Sequence, residues 1–234
     1  MPIRLSTKAK NAKPPVPQRR MPAAERRDVI EKAATELFSE RGYHAASIDE
    51  IARRSGVSPP VLYDHFESKQ DLYRRLLERH FAELRQVWRD NLPGSEPAEQ
   101  RVAHAVDAWF AYIETHPFAG RMLFRDTTGD PTIAAMHEQV AAESRAEILP
   151  MLAGEPGADG SAGRLSGVGL EMAWIVVRGV LQGLAMWWNE HPDVPREEVV
   201  ATVMGSLWVG FERLSEGEAW RPDSIRRGGF GERG

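Results

Sequence analysis

The chain has 234 residues, with 30 Lys+Arg against 34 Asp+Glu, 42% hydrophobic and 27% charged residues, and no Cys. These are the proportions of an ordinary globular protein of one large or two small domains; they exclude a disulfide framework, a thiolate metal site and a thiol nucleophile, and suit a reducing cytosol. The charge is divided, with 18 Lys+Arg against 13 Asp+Glu in residues 1–90 and 12 against 21 in the rest, so the N-terminal part carries the sign that nucleic-acid phosphates require.

Residues 1–20 (MPIRLSTKAKNAKPPVPQRR) lack apolar periodicity and read as a disordered basic arm, without the apolar run of a secretory signal. The arm is either a solvated tail or a contact to DNA phosphates and the minor groove, with Arg19, Arg20, Arg26 and Arg27 nearest the folded part. From about Ala24 to Arg41, the spacing of Ile30, Ala33, Ala34, Leu37 and Phe38 predicts a helix ended by Gly42, packing behind the two short helices next to it in the chain. Ser47 and Glu50 form a capping box for the first of these, buried through Ile48, Ile51 and Ala52 and stopped at Gly56. Ser58 caps the second, Pro59 takes its first position, and Val57 with Leu62 forms a hydrophobic staple. Leu62 and Phe66 lie one turn apart on the core side. Two short helices across a glycine-containing turn are a helix-turn-helix, whose second helix can lie in the major groove.

The start of that second helix offers free N–H groups and a positive dipole end to a phosphate or base edge. Pro59 and Pro60 have no side-chain donors and offer only apolar contact, for instance to a thymine methyl. Asp64 either accepts from a cytosine amine or points away. Arg53 and Arg54, ending the first motif helix, are candidates for phosphate contact. Lys69 begins the third helix of the stretch, where a cation opposes the dipole at a cost of roughly 0.3–1 kcal/mol; a nearby phosphate reverses that sign. The second helix shows no bidentate Arg–guanine or Asn–adenine reader, so the operator sequence is not legible.

The run Ser58-Pro-Pro-Val-Leu-Tyr63-Asp-His65-Phe66-Glu-Ser68-Lys69 resembles the recognition-helix signature of the tetracycline-repressor (TetR) family of bacterial regulators. Arg41-Gly42-Tyr43 and Ser47-Ile-Asp-Glu-Ile-Ala52 match its upstream half, so the resemblance covers roughly residues 25–75. It implies an all-α protein of about nine helices: a helix-turn-helix domain over 21–67, a helical regulatory and dimerisation domain over 68–216, and a helix over 68–92 that links the two. It also implies backbone contacts from Tyr63 and His65 and a phosphate contact from Lys69. On the residues alone, Tyr63 reads equally as a half-buried packing residue and His65 as a core or capping histidine. The expected DNA-binding set is Ser47, Arg53, Arg54, Ser58, Pro59, Pro60, Tyr63, Asp64, His65 and Lys69, facing a double-stranded palindromic operator. Repression is the family default, and activation is the alternative.

The linking helix starts at Ser68, with Asp71 supporting its N-terminus, and keeps Leu72, Leu76, Leu77, Phe81, Leu84, Val87 and Trp88 on one face before Pro93-Gly94. A helix over about 96–115 comes next, with Val102, Ala105, Val106, Trp109, Phe110 and Ile113 buried. A short helix then carries Phe118, Met122, Leu123 and Phe124 to Asp126. Gly129-Asp130-Pro131 starts another, with Ile133, Met136, Val140, Ile148 and Leu152, and residues 153–163 form a Gly-rich loop. Residues 168–188 are the most apolar stretch, but Glu171, Arg178 and Gln182 interrupt it, and a charge at mid-span costs about 2.5–3.5 kcal/mol. It reads as a buried helix and not a membrane span. The last helix, 197–215, has Val200, Val203, Met204, Leu207, Trp208, Phe211 and Leu214 on one face, and the tail 217–234 reads as disordered.

Helices 165–190 and 197–215 carry more apolar surface than one body needs, and Gly179, Gly183 and Gly205 allow close approach. They are expected to build a homodimer as a four-helix bundle, with simple core as the alternative. The resemblance further implies a small-molecule pocket in the body. Trp109, Phe110, Ile113, Phe118, Met122, Phe124, Met136, Trp174 and Arg178 are its candidate residues, pointing to an apolar or aromatic effector. Trp187 and Trp188 lie in the same region. Arg178 needs a carboxylate across the bundle or an anionic ligand. No nucleotide-binding, nucleophile-elbow or di-metal helical motif occurs, and His104 with Asp107 gives only two ligands, so neither an enzyme nor a resident cofactor or metal is expected.

Overall fold

In the computed structural model the chain is described over residues 21–124, 130–153 and 168–210, and every element there is helical. The basic arm, nearly all of the 153–163 loop, residues 211–215 of the last helix and the tail 217–234 lie outside these segments. The head consists of α1 (Ala23–Ala45), α2 (Ile48–Ser55) and α3 (Pro59–Tyr63), and α4 (Lys69–Asn91) joins it to the body. The body holds α5 (Ala98–Thr115), α6 (Pro117–Phe124), α7 (Pro131–Ala153), α8 (Val168–Glu190) and α9 (Arg196–Val203), the last continuing into a π-helical turn over Met204–Trp208.

The predicted apolar faces fold as one core. Ile30, Ala34, Leu37 and Phe38 of α1 pack with Ile51 and Ala52 of α2, Leu62 of α3, Phe66 in the turn after it, and Leu72, Leu76 and Leu77 of α4. Gly42 takes φ 78° and kinks α1 instead of ending it, so one more turn reaches Ala45. Gly56 closes α2 in the left-handed region (φ 70°, ψ 23°), where a side chain is strained. Ser68 caps α4, its hydroxyl accepting from the Asp71 N–H at 3.0 Å, and Asp71 accepts from the Glu67 N–H at 3.3 Å. The side chain of Asp130 caps α7 by accepting from Thr132 and Ile133.

Besides apolar packing, a polar network ties head to body. Arg79 of α4 bonds Glu31 of α1 at 2.6 Å and Glu83 of its own helix at 3.0 Å. The buried His80 ring meets the Thr35 hydroxyl of α1 at 3.4 Å and the Tyr112 hydroxyl of α5 at 2.8 Å. Tyr112 in turn donates to Glu83 at 2.6 Å. The His44 ring at the end of α1 contacts the Asp130 carboxylate. Apolar periodicity carries no trace of these partners.

The most apolar helix, α8, buries only part of itself: Leu181, Ala185 and Trp188 are covered, whereas Met172, Ile175, Val176 and Trp187 are exposed. No helix among the described residues is long and apolar enough to cross a membrane. On α9 the buried positions are Val199 and Val203, with Val200, Met204, Leu207 and Trp208 only partly covered.

Candidate nucleic-acid interface and ligand cavity

The helix-turn-helix is held by contacts that correct part of the sequence reading. The Ser47 hydroxyl accepts from the Glu50 N–H at 3.2 Å, which is half of the expected capping box. Glu50 does not reciprocate, because its carboxylate pairs with Arg41 at 2.7 Å and Arg54 at 3.5 Å. Ser58 occupies the N-cap position with extended backbone, yet its hydroxyl makes no capping bond. The positive helix end expected there is also weak. α3 has five residues, and prolines at its first two positions remove two of its leading N–H groups.

The exposed surface of the motif is therefore made by side chains. Tyr63 is 52% exposed, Pro60 and Asp64 face outward with it, and Ser58 and Ser47 are exposed beside them. Pro59 is partly covered, as is His65, whose ring sits 6.3 Å from that of Phe66. Arg53 leaves its side chain 74% exposed, with Glu50 3.6 Å away. Arg54 is different: it lies 2.8 Å from Glu40 and braces α2 against α1. Lys69 is different again. Its ammonium donates to the carbonyls of Tyr43 (2.9 Å) and Ala46 (3.1 Å) and stands 4.3 Å above the Tyr43 ring. Burial pushes its pKa below the usual lysine value. The cation at this helix start is thus compensated by the carbonyls ending α1, without any phosphate, and this overturns the local argument from the dipole alone.

In the body, two adjoining cavities lie between α4, α7 and α8. The inner one, about 60 Å³, is walled by apolar side chains of α4 (Phe81, Leu84, Trp88), with Trp109, Phe124, Ile148, Trp174, Val177 and Leu181. The outer one, about 490 Å³, is wider and more polar, with Leu123, Ala134, Ala135, His137 and Glu138 in its wall. Phe81, Phe124, Ala141, Arg178 and Gln182 line both. Of the predicted pocket residues, the structure brings Trp109, Phe124, Trp174 and Arg178 to these cavities. Phe110, Ile113 and Met122 are instead buried in the core, the Phe110 ring packing edge-on against Trp188 at 5.8 Å. Phe118 sits under the Arg121 guanidinium, and Met136 packs on the core beside the cavities. Trp187 is exposed and Trp188 is core.

The cavity walls supplied by α4 were missed, since its apolar stripe looks the same whether it meets side chains or space. His137 was missed too. Its ring bonds the Tyr73 hydroxyl at 2.9 Å, and burial pushes its pKa down. The expected carboxylate partner of Arg178 is not found among the described residues. Asp107 pairs with Arg196 at 2.9 Å, leaving His104 beside Glu96 at 3.6 Å, and no metal-binding cluster of three ligands occurs among the described residues.

Comparison with known proteins agrees with this geometry. Residues 30–76 match the profile of the bacterial regulatory proteins of the tetR family. The HTH-type transcriptional activator FasR of Mycolicibacterium smegmatis is 33% identical over 196 residues, covering 83% of this chain and 87% of that protein. A TetR-like transcriptional regulator from Rhodococcus sp. RHA1 superimposes with a TM-score of 0.67 at 20% identity, over 82% of this chain and 99% of that one. FadR from Bacillus subtilis, solved in complex with stearoyl-CoA, does so with a TM-score of 0.64 at 16% identity, over 81% and 98%. The two solved structures speak to the fold, and the relative that shares a third of its residues speaks to descent. The chain belongs to the TetR family of bacterial regulatory proteins and is a DNA-binding transcriptional regulator.

Proposed function

We propose that the protein is a homodimeric, ligand-responsive regulator that binds a palindromic operator in the cytoplasm through two copies of the α2–α3 motif. The observation that carries this reading is the outward face of that motif. Tyr63, Asp64, Pro60 and Arg53 are presented to solvent, while Leu62 and Phe66 on the opposite side are fully buried. Ser47, Ser58, Pro59 and His65 flank that face, Arg54 braces it, and Lys69 keeps one ammonium N–H beyond the two carbonyls it serves.

Dimerisation is supported by α8 and α9. Met172, Ile175, Val176 and Trp187 form an exposed apolar face, and Gly179, Gly183 and Gly205 have open space where a Cβ would stand. Among the described residues nothing packs against those glycines, which leaves room for a second chain to approach closely. A twofold pairing of α8 and α9 gives an isologous four-helix interface.

The effector reading rests on the paired cavities, whose larger member falls within the usual range for small-molecule sites. The inner cavity has an apolar lining suited to a hydrocarbon chain, which at about 60 Å³ enters only as the walls move apart, and the fold relative that holds stearoyl-CoA favours an acyl effector over a flat aromatic one. Release of a repressor by that effector is the first reading. Activation is the second, favoured by the M. smegmatis relative, which is a transcriptional activator.

Selection of random duplex DNA by the purified protein tests the central reading. The enriched sites should be inverted repeats with half-sites about 34 Å apart or a multiple of it, and Arg53→Ala and Tyr63→Ala should weaken binding. Recovery of no common sequence overturns it. A reporter placed behind an enriched site then separates the two modes, since loss of the protein raises output for a repressor and lowers it for an activator.

A further inference from the structure

Arg178 occupies an unusual position for a charged residue. It lies in the most apolar helix, is partly buried, and lines both cavities; Gln182, one turn further along α8, lines both as well. The other charged and titratable groups of these walls are accounted for. The Arg85 Nε lies 3.0 Å from the Glu147 carboxylate as an ion pair without a hydrogen bond, and its Nη1 donates to the Ser144 hydroxyl at 3.2 Å. His137 is engaged with Tyr73. Glu138 faces solvent from the rim of the outer cavity. Among the described residues, Arg178 has neither a carboxylate within 4.0 Å nor a hydrogen-bond partner.

A guanidinium stays protonated at any physiological pH and carries five donors in a planar fork. Taking such a group partly out of water without an acceptor costs free energy, and a cavity that holds one lacks its complement. The shape of the space says where that complement belongs. Apolar rings enclose the inner cavity, polar groups and solvent border the outer one, and Arg178 and Gln182 stand where the two adjoin. A molecule spanning both places its apolar part among Phe81, Trp109 and Trp174 and its polar end at Arg178.

We propose that Arg178, with Gln182 beside it, reads the head group of the effector and selects an apolar chain that ends in an anionic group. This rests on the ligand-responsive reading above and adds to it the residues that recognise charge. The shared chemistry is an oxyanion on a hydrocarbon chain, which a free carboxylate or the phosphates of an activated thioester both supply.

The test measures binding of three probes to the full chain by calorimetry and by quenching of its tryptophans, below micelle-forming concentrations: dodecanoate, dodecanoyl-CoA and 1-dodecanol. At least one anionic probe should bind roughly 10- to 100-fold more tightly than the alcohol, the range of a charge-assisted hydrogen bond or two. Arg178→Gln should abolish that preference by weakening the anionic probe far more than the alcohol, and Arg178→Lys should restore part of it. Preference for dodecanoate identifies the carboxylate as the group read, and preference for the thioester alone identifies the phosphates. An unchanged circular dichroism spectrum and Tm report that the Arg178→Gln protein is folded. Equal affinity for all three probes, or equal losses for anions and alcohol in Arg178→Gln, overturns the role of Arg178 and leaves the cavity reading standing. Failure of every probe to bind the unaltered protein overturns the acyl-effector reading and this inference with it.

Discussion

Lys69 offers a direct test of how the head is held together. Its ammonium bridges two carbonyls that α1 leaves at its end, Tyr43 and Ala46, across a sequence separation of more than twenty residues. Replacing it by Met keeps the aliphatic stem over the Tyr43 ring and removes only the charge and its donors. A hydrogen bond from a charged group contributes about 1.5–3 kcal/mol, and the cation–π contact adds about 0.5–1 kcal/mol at a partly exposed site. Against this, water takes over part of the bonding to the two carbonyls, and the opposed helix dipole is relieved by roughly 0.3–1 kcal/mol. The balance is a loss of about 2 kcal/mol. For a cooperative unit of this size, that corresponds to a fall in Tm of about 4–8 °C, readable by circular dichroism on the purified protein. A Tm within about 1 °C of the parent would refute the bracing role. Operator binding well below Tm separates the second role: where the remaining N–H contacts a phosphate, Lys69→Met loses that contact and the slope of log K against log salt becomes shallower by about 0.9.

Three further outcomes are expected. The bond from the His80 ring, opposed by burial and reinforced by the Tyr112 hydroxyl and Arg79, holds the Glu83 carboxyl down at about 2. Because the folded value lies below the unfolded one, this stabilisation is complete above pH 4.5 and is lost as pH falls from there toward 2. The full linkage is about 3 kcal/mol, which solvent at a side chain 35% exposed reduces to about 1–2 kcal/mol. Urea midpoints at pH 6 and pH 3 should show Glu83→Gln losing less stability than the parent over that interval; identical losses refute the assignment. Gly183 has open space at its missing Cβ, so Gly183→Glu should keep the helical content while light scattering shows the dimer dissociating into monomers. Tyr112→Phe removes the hydroxyl shared by His80 and Glu83 and should cost about 1–2 kcal/mol, measured by denaturant titration, with no change in the affinity of the α2–α3 motif for DNA once folded.

Local signals in this chain were legible because their partners are adjacent in sequence. Ser47 and Ser68 accept from the N–H three residues on, Gly56 turns where it stands, and the i, i+3, i+4 faces of α1 and α4 become the core. The misreadings concern side chains whose partners are distant. Glu50 leaves its capping box for Arg41, Arg54 is taken by Glu40, and Lys69 closes on the end of α1. A charged side chain reaches several ångströms in directions that spacing does not encode, so its partner is a property of the tertiary fold. The cavity was half legible for a related reason. Periodicity marks which face of α4 or α5 is apolar, but Phe110 and Trp109, neighbours on α5, differ in whether core or space lies opposite them.

The same helix gives a cavity in the body a physical route to the motif in the head. Leu72, Leu76 and Leu77 of α4 belong to the core that seats α2 and α3, while Phe81, Leu84 and Trp88, further along the same helix, wall the cavities. Arg79 and His80 lie between the two sets and Glu83 within the second, and the three are bonded to α1 on one side and α5 on the other. A ligand that enlarges the inner cavity must displace the rings on α4 or those facing them, since close-packed interiors do not absorb volume. If α4 yields, the Thr35–His80–Tyr112 chain decides whether the head moves with it, because those bonds tie α1 to the helix and the helix to α5. Ligand affinity and operator affinity are then coupled through one rigid element with two sets of neighbours, and by linkage each must alter the other by the same factor.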